Sequence, residues 1–171
     1  MRDEIGPAAP SLGFVLACAV AACGGAAPPV ASSGGAVSSS ADGAAGKCLA
    51  IAGAKRERRP DEPAKVGAKH LVVKYAGSKR AGPDVTRTRE EACLRAQEAY
   101  AKLEGGASFA DVVKEYSEEP GAATREGSVG TFDRSGRMAV PFVDATMELK
   151  VGEVSHVVET DFGFHVIYRT E

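Results

Sequence analysis

The sequence predicts an α+β domain built on a small antiparallel sheet and confined to residues 68–171. Three observations carry that expectation. All of the Tyr and most of the Phe and Val lie in this span, whereas residues 1–67 are dominated by Ala, Gly, Ser and Pro. Only the later span can bury enough apolar surface to offset the entropy of ordering its backbone. Within it, runs of strand character stand near both ends, and helical patterns with recognisable caps stand between them.

The elements follow in order. Lys69-His-Leu-Val-Val-Lys-Tyr75 has the β-branched content of a strand. Alternation puts His70, Val72 and Lys74 on one face and Leu71 with Val73 on the other. A loop over residues 76–85 carries Gly77, Gly82 and Pro83 as breakers and Lys79-Arg80 as charges. Thr88-Arg-Glu-Glu91 fits a capping box at a helix start, and Ala92, Ala96, Ala99, Tyr100 and Leu103 keep helical spacing up to Gly105-Gly106. Ser108 caps a second helix, with Phe109, Val112, Val113 and Tyr116 on one face. A short strand falls around residues 129–132. A third helix runs over residues 140–149, with Pro141 in its first turn, Phe142, Ala145 and Leu149 along one face, and Gly152 as its stop. Residues 154–159 read as a strand, Asp161-Phe-Gly163 as a tight turn, and residues 164–169 as a closing strand.

Ahead of the domain, residues 1–23 read as a secretory signal. The uncharged apolar run at residues 12–22 is too short to span a bilayer and suits a signal core, although Asp3 and Glu4 weaken the positive start. Val20-Ala-Ala-Cys23 resembles a bacterial lipobox, with Cys23 as the lipidated residue; Val15-Leu-Ala-Cys18 is a poorer second match. Residues 24–67 read as a disordered linker. Within it, Cys48-Leu-Ala-Ile-Ala is a short apolar patch, and Lys55-Arg-Glu-Arg-Arg59 is a basic cluster that is either solvated or drawn to anionic lipid. The expected location is the cell envelope, lipid-anchored or periplasmic.

The four Cys form no metal-binding spacing. Cys48 and Cys93 leave two readings open: a disulfide formed in an oxidising compartment, or an unpaired Cys93 on a buried helix face. The formal net charge is −2, there is no Trp, and no basic stretch is interleaved with aromatics, so no nucleic-acid partner is expected.

From residue 69 onward the motifs resemble the parvulin-type peptidyl-prolyl cis/trans isomerases. The resemblance rests on Lys69-His-Leu-Val-Val-Lys, Ser117-Glu-Glu-Pro-Gly121, Gly127-Ser-Val-Gly-Thr-Phe132, Met138-x-x-Pro-Phe142, Leu149-x-x-Gly-Glu153 and Thr160-Asp-Phe-Gly-Phe-His165, in that order. It implies a parvulin-like (FKBP-like) fold with a four-stranded antiparallel sheet surrounded by about four helices. The Thr88-Arg-Glu-Glu helix start and the closing Ile-Tyr-Arg-Thr-Glu171 are similar to the branch directed at phosphorylated Ser/Thr-Pro sites.

The resemblance also implies a site. His70 and His165 would be the two facing histidines, with Thr160 in their hydrogen-bond network and Glu119 where the family usually has Cys or Asp. Glu119 fits a role through negative charge and not one through a thiolate. Val129, Met138 and Phe142 would form the proline socket; replacing Met138 or Phe142 by Ala is expected to lower activity and leave the fold intact. Lys74, Lys79 and Arg80 match phosphate-binding positions, and Phe162 is bulky where the phospho-directed branch has a small hydroxyl residue. Expected partners are proline-containing polypeptides and, through Cys23, a membrane; no cofactor or metal is implied, and the chain is expected to be a monomer.

Plainer readings stand beside these. Phe142 and Val129 also fit ordinary core positions, His70 and His165 fit satisfied core histidines, and Lys79-Arg80 fits a solvated loop. A zinc site of His70, His156 and His165 would need a proximity of His156 that nothing supports; His156 reads as a solvent-facing strand residue. The rival function is a non-catalytic peptide-binding or chaperone module that uses the same groove, and Glu119 and Phe162 are the features that favour it. A structural envelope lipoprotein is a third.

Overall fold

A computed structural model of the protein describes residues 43–171. The apolar signal run, Cys23 and the first part of the linker lie outside the described residues. The described chain runs α1 (Ala44–Ala52), β1 (Val66–Val73), α2 (Arg89–Glu104), α3 (Phe109–Tyr116), β2 (Ser128–Phe132), α4 (Val140–Glu148), β3 (Val158–Thr160) and β4 (Gly163–Arg169). The strands form one antiparallel sheet in the order β2-β1-β4-β3. No helix among the described residues is long and apolar enough to cross a membrane.

The alternation in β1 divides the core. Leu71 and Val73, with Phe164 and Val166 of β4, pack against Ala92, Ala96 and Ala99 of α2 and Val112, Val113 and Tyr116 of α3. On the other face, Ala68, Val158 and Ile167 pack against Phe142 and Ala145 of α4. Small residues along α2 let that helix lie close to the sheet. Its start is the expected capping box: Thr88 Oγ1 accepts from the Glu91 N–H at 3.2 Å, and the Thr88 N–H donates to Glu91 Oε2 at 2.7 Å. Ser108 caps α3 by a single bond, its hydroxyl oxygen accepting from the Asp111 N–H.

The structure departs from three expectations. The segment read as linker is folded well before residue 68. α1 docks its buried Cys48 and Ala52 on the domain, and β1 already begins at Val66. A disulfide joins Cys48 of α1 to Cys93 of α2, with Cα atoms 6.0 Å apart, so the paired reading of these two cysteines holds. The strand expected over residues 154–159 shrinks to Val158–Thr160, with a lone bridge from Val154 to Tyr168. The Ser155 hydroxyl takes the Ile167 N–H, a hydrogen bond the ladder would otherwise make, so the chain leaves regular pairing there. α4 also ends one residue early, because Leu149 is already extended (ψ 149°).

Candidate active site

Strand register brings the two histidines together. Val72 stands opposite His165 and Ile167 opposite His70, so the imidazoles are diagonal neighbours on the α4 face of the sheet. Their Nδ1 atoms lie 3.1 Å apart, with ring planes within 11° of each other. Thr160 Oγ1, at the end of β3, lies 2.8 Å from His165 Nε2 and accepts the Phe162 N–H at 3.1 Å.

Glu119 arrives on the loop after α3. Ser117 and Glu118 run beside the end of β1: the Glu118 N–H donates to the Val72 carbonyl at 2.9 Å, and Glu118 Oε2 accepts from the Lys74 N–H at 2.7 Å. Arg87 in turn holds both Glu118 oxygens. The loop closes at Gly127, whose carbonyl accepts the His70 N–H. Gly127 has φ +76°, and a Cβ there would sit 2.3 Å from the His70 carbonyl oxygen, so only glycine permits this approach. The result puts Glu119 Oε2 at 2.9 Å from His70 Nε2 and 2.6 Å from an Arg125 nitrogen.

The directions of this chain follow from its ends. The hydrogen bond from His70, with the positive charge of Arg125, outweighs partial burial and lowers the Glu119 pKa to about 2, so Glu119 is a carboxylate that can only accept. Burial, with His70 adding to it, pushes His165 down to about 3, so its ring is neutral. His70 Nε2–H therefore donates to Glu119, His165 Nδ1–H donates to the bare His70 Nδ1, and Thr160 O–H donates to His165 Nε2. Every member has a partner when both rings are neutral.

A pH dependence of stability follows. His165 is protonated in the unfolded chain below its ordinary 6.5 but resists protonation in the fold down to about 3. The unfolded state thus gains protons first, and stability falls by up to about 1.4 kcal/mol per pH unit as pH drops from 6.5 toward 3. Glu119, whose folded pKa is lowered from 4.5 to about 2, adds a loss of the same sign between those two values. Urea denaturation at pH 7.5, 6 and 5 should show the first limb, and His165→Asn should flatten it. A wild-type stability that is level between pH 7.5 and 5 would contradict a buried neutral His165.

Above the chain lies a groove of about 480 Å³ lined by His70, Val72, Lys74, Arg80, Glu119, Pro120, Arg137, Met138, Ala139, Phe142, Thr160, Phe162 and His165. The Phe142 ring stands edge-on to both imidazoles, at centroid distances of 5.3 and 5.5 Å. Lys74 is buried and donates from Nζ to the Arg80 carbonyl at 2.8 Å; Arg80 adopts φ +60° and lays its guanidinium over the Phe162 ring at 5.5 Å. Two expected site residues do not line the groove. Val129 packs behind Phe142 in the α4 cluster, and exposed Lys79 is drawn off to Asp161 at 2.5 Å. His156 is exposed against Tyr100, away from the groove residues. Arg125, Arg137 and Pro120 had no site role in the sequence reading: Pro120 stands within the Ser117-Glu-Glu-Pro-Gly121 motif, whereas no periodicity or motif marks the two arginines, which arrive through loop placement.

Residues 53–171 match the family model of the PPIC-type PPIASE domain. The foldase protein PrsA of Geobacillus kaustophilus is 46% identical over 76 residues, which cover 44% of this chain and 27% of that protein. The peptidyl-prolyl cis-trans isomerase Pin1 of Digitalis lanata is 40% identical over 115 residues, covering 62% of this chain and 96% of that one. Among solved structures, the peptidyl-prolyl isomerase ESS1 from Candida albicans superposes with a TM-score of 0.58 at 30% identity, covering 67% of this chain and 66% of the other.

Proposed function

The chain belongs to the PPIC-type, or parvulin, family of peptidyl-prolyl cis/trans isomerases, and from that premise we propose that its groove accelerates X-Pro rotation in exported proteins, with a preference for an acidic or phosphorylated residue before Pro. The observation that carries this is the satisfied chain Thr160–His165–His70–Glu119 forming the polar side of a groove whose other side is Met138 and Phe142.

An X-Pro bond rotates over a barrier of about 18–20 kcal/mol, and no covalent bond is made or broken. The site has only to bind the twisted amide better than the planar one. Twisting removes amide resonance and returns electron density from oxygen to nitrogen, so a water-poor socket favours the twisted form. The flat Phe142 ring and the adaptable Met138 thioether suit a prolyl ring. The histidines act by holding each other and Glu119 in place, and the Glu119 charge disfavours the planar amide's electron-rich oxygen.

Charge at the groove supports the substrate preference. Lys74, Arg80 and Arg137 line it, and none is paired with a carboxylate among the described residues. Glu119, the acid there, is already bound to His70 and Arg125. An incoming carboxylate or phosphate before proline therefore meets unspent positive charge. The Cys48–Cys93 disulfide fits an oxidising compartment, in line with an export signal over residues 1–23, a lipid anchor at Cys23 and a place in the cell envelope.

The test is a panel of Leu-Pro, Glu-Pro and phosphoSer-Pro peptides assayed by exchange NMR. Acceleration is expected for all three, strongest for the acidic pair, and Arg80→Ala should narrow that difference. Peptide binding without acceleration would favour the chaperone-module reading, to which the bulky Phe162 in the groove wall lends weight.

A further inference from the structure

We propose that Glu62, on the segment between α1 and β1, is a positioning residue for the proline socket. This rests on the isomerase reading of the groove. Residues 56–62 do not trail away from the domain but are strapped across it. Arg56 pairs with Glu148 at 2.9 Å, and Arg59 donates to the Met147 carbonyl at 2.9 Å, where the last turn of α4 offers unsatisfied oxygens. The basic cluster read as solvated or lipid-facing thus spends two of its arginines on α4.

At the end of the strap, Glu62 faces inward, its side chain only 7% exposed. Both of its oxygens take the Arg134 guanidinium, from Nε and from a terminal nitrogen, each at 2.7 Å. Arg134 extends its other arm to Asp144 of α4 at 2.5 Å. The hydrogen bonds from Arg134 lower the pKa of the Glu62 carboxyl. Arg134 opens the loop that leads to Arg137 and Met138, and Asp144 sits two residues after Phe142. One half-buried fork therefore ties the loop wall of the socket to its helix wall. Asp133 braces the same loop from the other side, accepting from the Ser135 N–H at 2.8 Å. Glu62 touches no part of the groove, so it acts through Arg134.

The experiment compares wild type, Glu62→Gln, Glu62→Asp and Asp144→Asn in the purified protein, using a Glu-Pro peptide. Three quantities are read: KM and kcat by exchange NMR, the peptide Kd by titration, and the Met138 methyl shift. Glu62→Gln should raise KM and Kd by about tenfold through loss of alignment, with kcat within about twofold, and should move the Met138 signal. Glu62→Asp, which keeps the charge on a shorter arm, should fall between. If Glu62→Gln fails to fold, Asp144→Asn loosens the same fork from its rim and should give the same pattern at smaller size. Unchanged KM, Kd and methyl shift beside a lowered melting temperature would reduce Glu62 to a structural brace and overturn the proposal. Because Kd and the methyl shift do not depend on turnover, a wild type that binds without catalysing would count against the isomerase reading alone.

Discussion

Replacing Phe142 by alanine is expected to cost about 3–5 kcal/mol of folding stability and to lower kcat/KM for X-Pro peptides roughly tenfold or more. One ring carries both effects. Phe142 is 2% exposed and packed with Ala68, Ala145, Val158 and Ile167. Its edge contacts hold the two imidazoles, and Phe132 leans on it at 5.8 Å. The sequence-based expectation that this change spares the fold sits poorly with its burial: Phe142 is a core residue that also lines the groove. A loss of that size is a large share of the roughly 5–15 kcal/mol that stabilises most domains. Phe142→Leu restores most of the apolar volume and should recover much of the stability without the flat face. Activity should then stay low while the urea midpoint returns. An alanine variant with wild-type kcat/KM would remove Phe142 from the socket.

Opening the Cys48–Cys93 disulfide is expected to be nearly as costly. The bond closes a sequence separation of 45 residues, for which the chain-entropy model gives about 4 kcal/mol. Both cysteines are buried in the main core, so serines would add buried hydroxyls; the double Cys→Ala variant is the cleaner probe. Thermal melts with and without dithiothreitol should separate for the wild type and coincide for that variant. Superimposable wild-type melts, with thiol titration proving the bond open, would deny it a stabilising role.

What could be read beforehand was whatever leaves a local pattern. His70 and His165 were expected to face each other only through the parvulin resemblance, carried by the His-bearing motifs of the first and last strands, and the register of β1 and β4 agrees. Thr88 and Ser108 announced helix starts by their own chemistry. The strap was invisible for the opposite reason: Glu62 and Arg134 are 72 residues apart, and an ion pair across that distance leaves no periodicity. Cys48 and Cys93 stood alone in sequence and met only through the docking of α1. Lys79 sat at a motif position, yet neighbouring Asp161 competes for it. Ser155 has a strand-compatible neighbourhood, and only its hydroxyl's choice of partner ended the strand.

The disulfide also decides how the domain would bear a mechanical load. Tension applied ahead of Cys48 enters the fold at Cys93 through a covalent link, and residues 49–92 hang as a slack loop off the load path. That loop contains the strap and all of β1. Pulling on the chain ahead of Cys48 would therefore tug on α2 before it strained the central strand bearing His70.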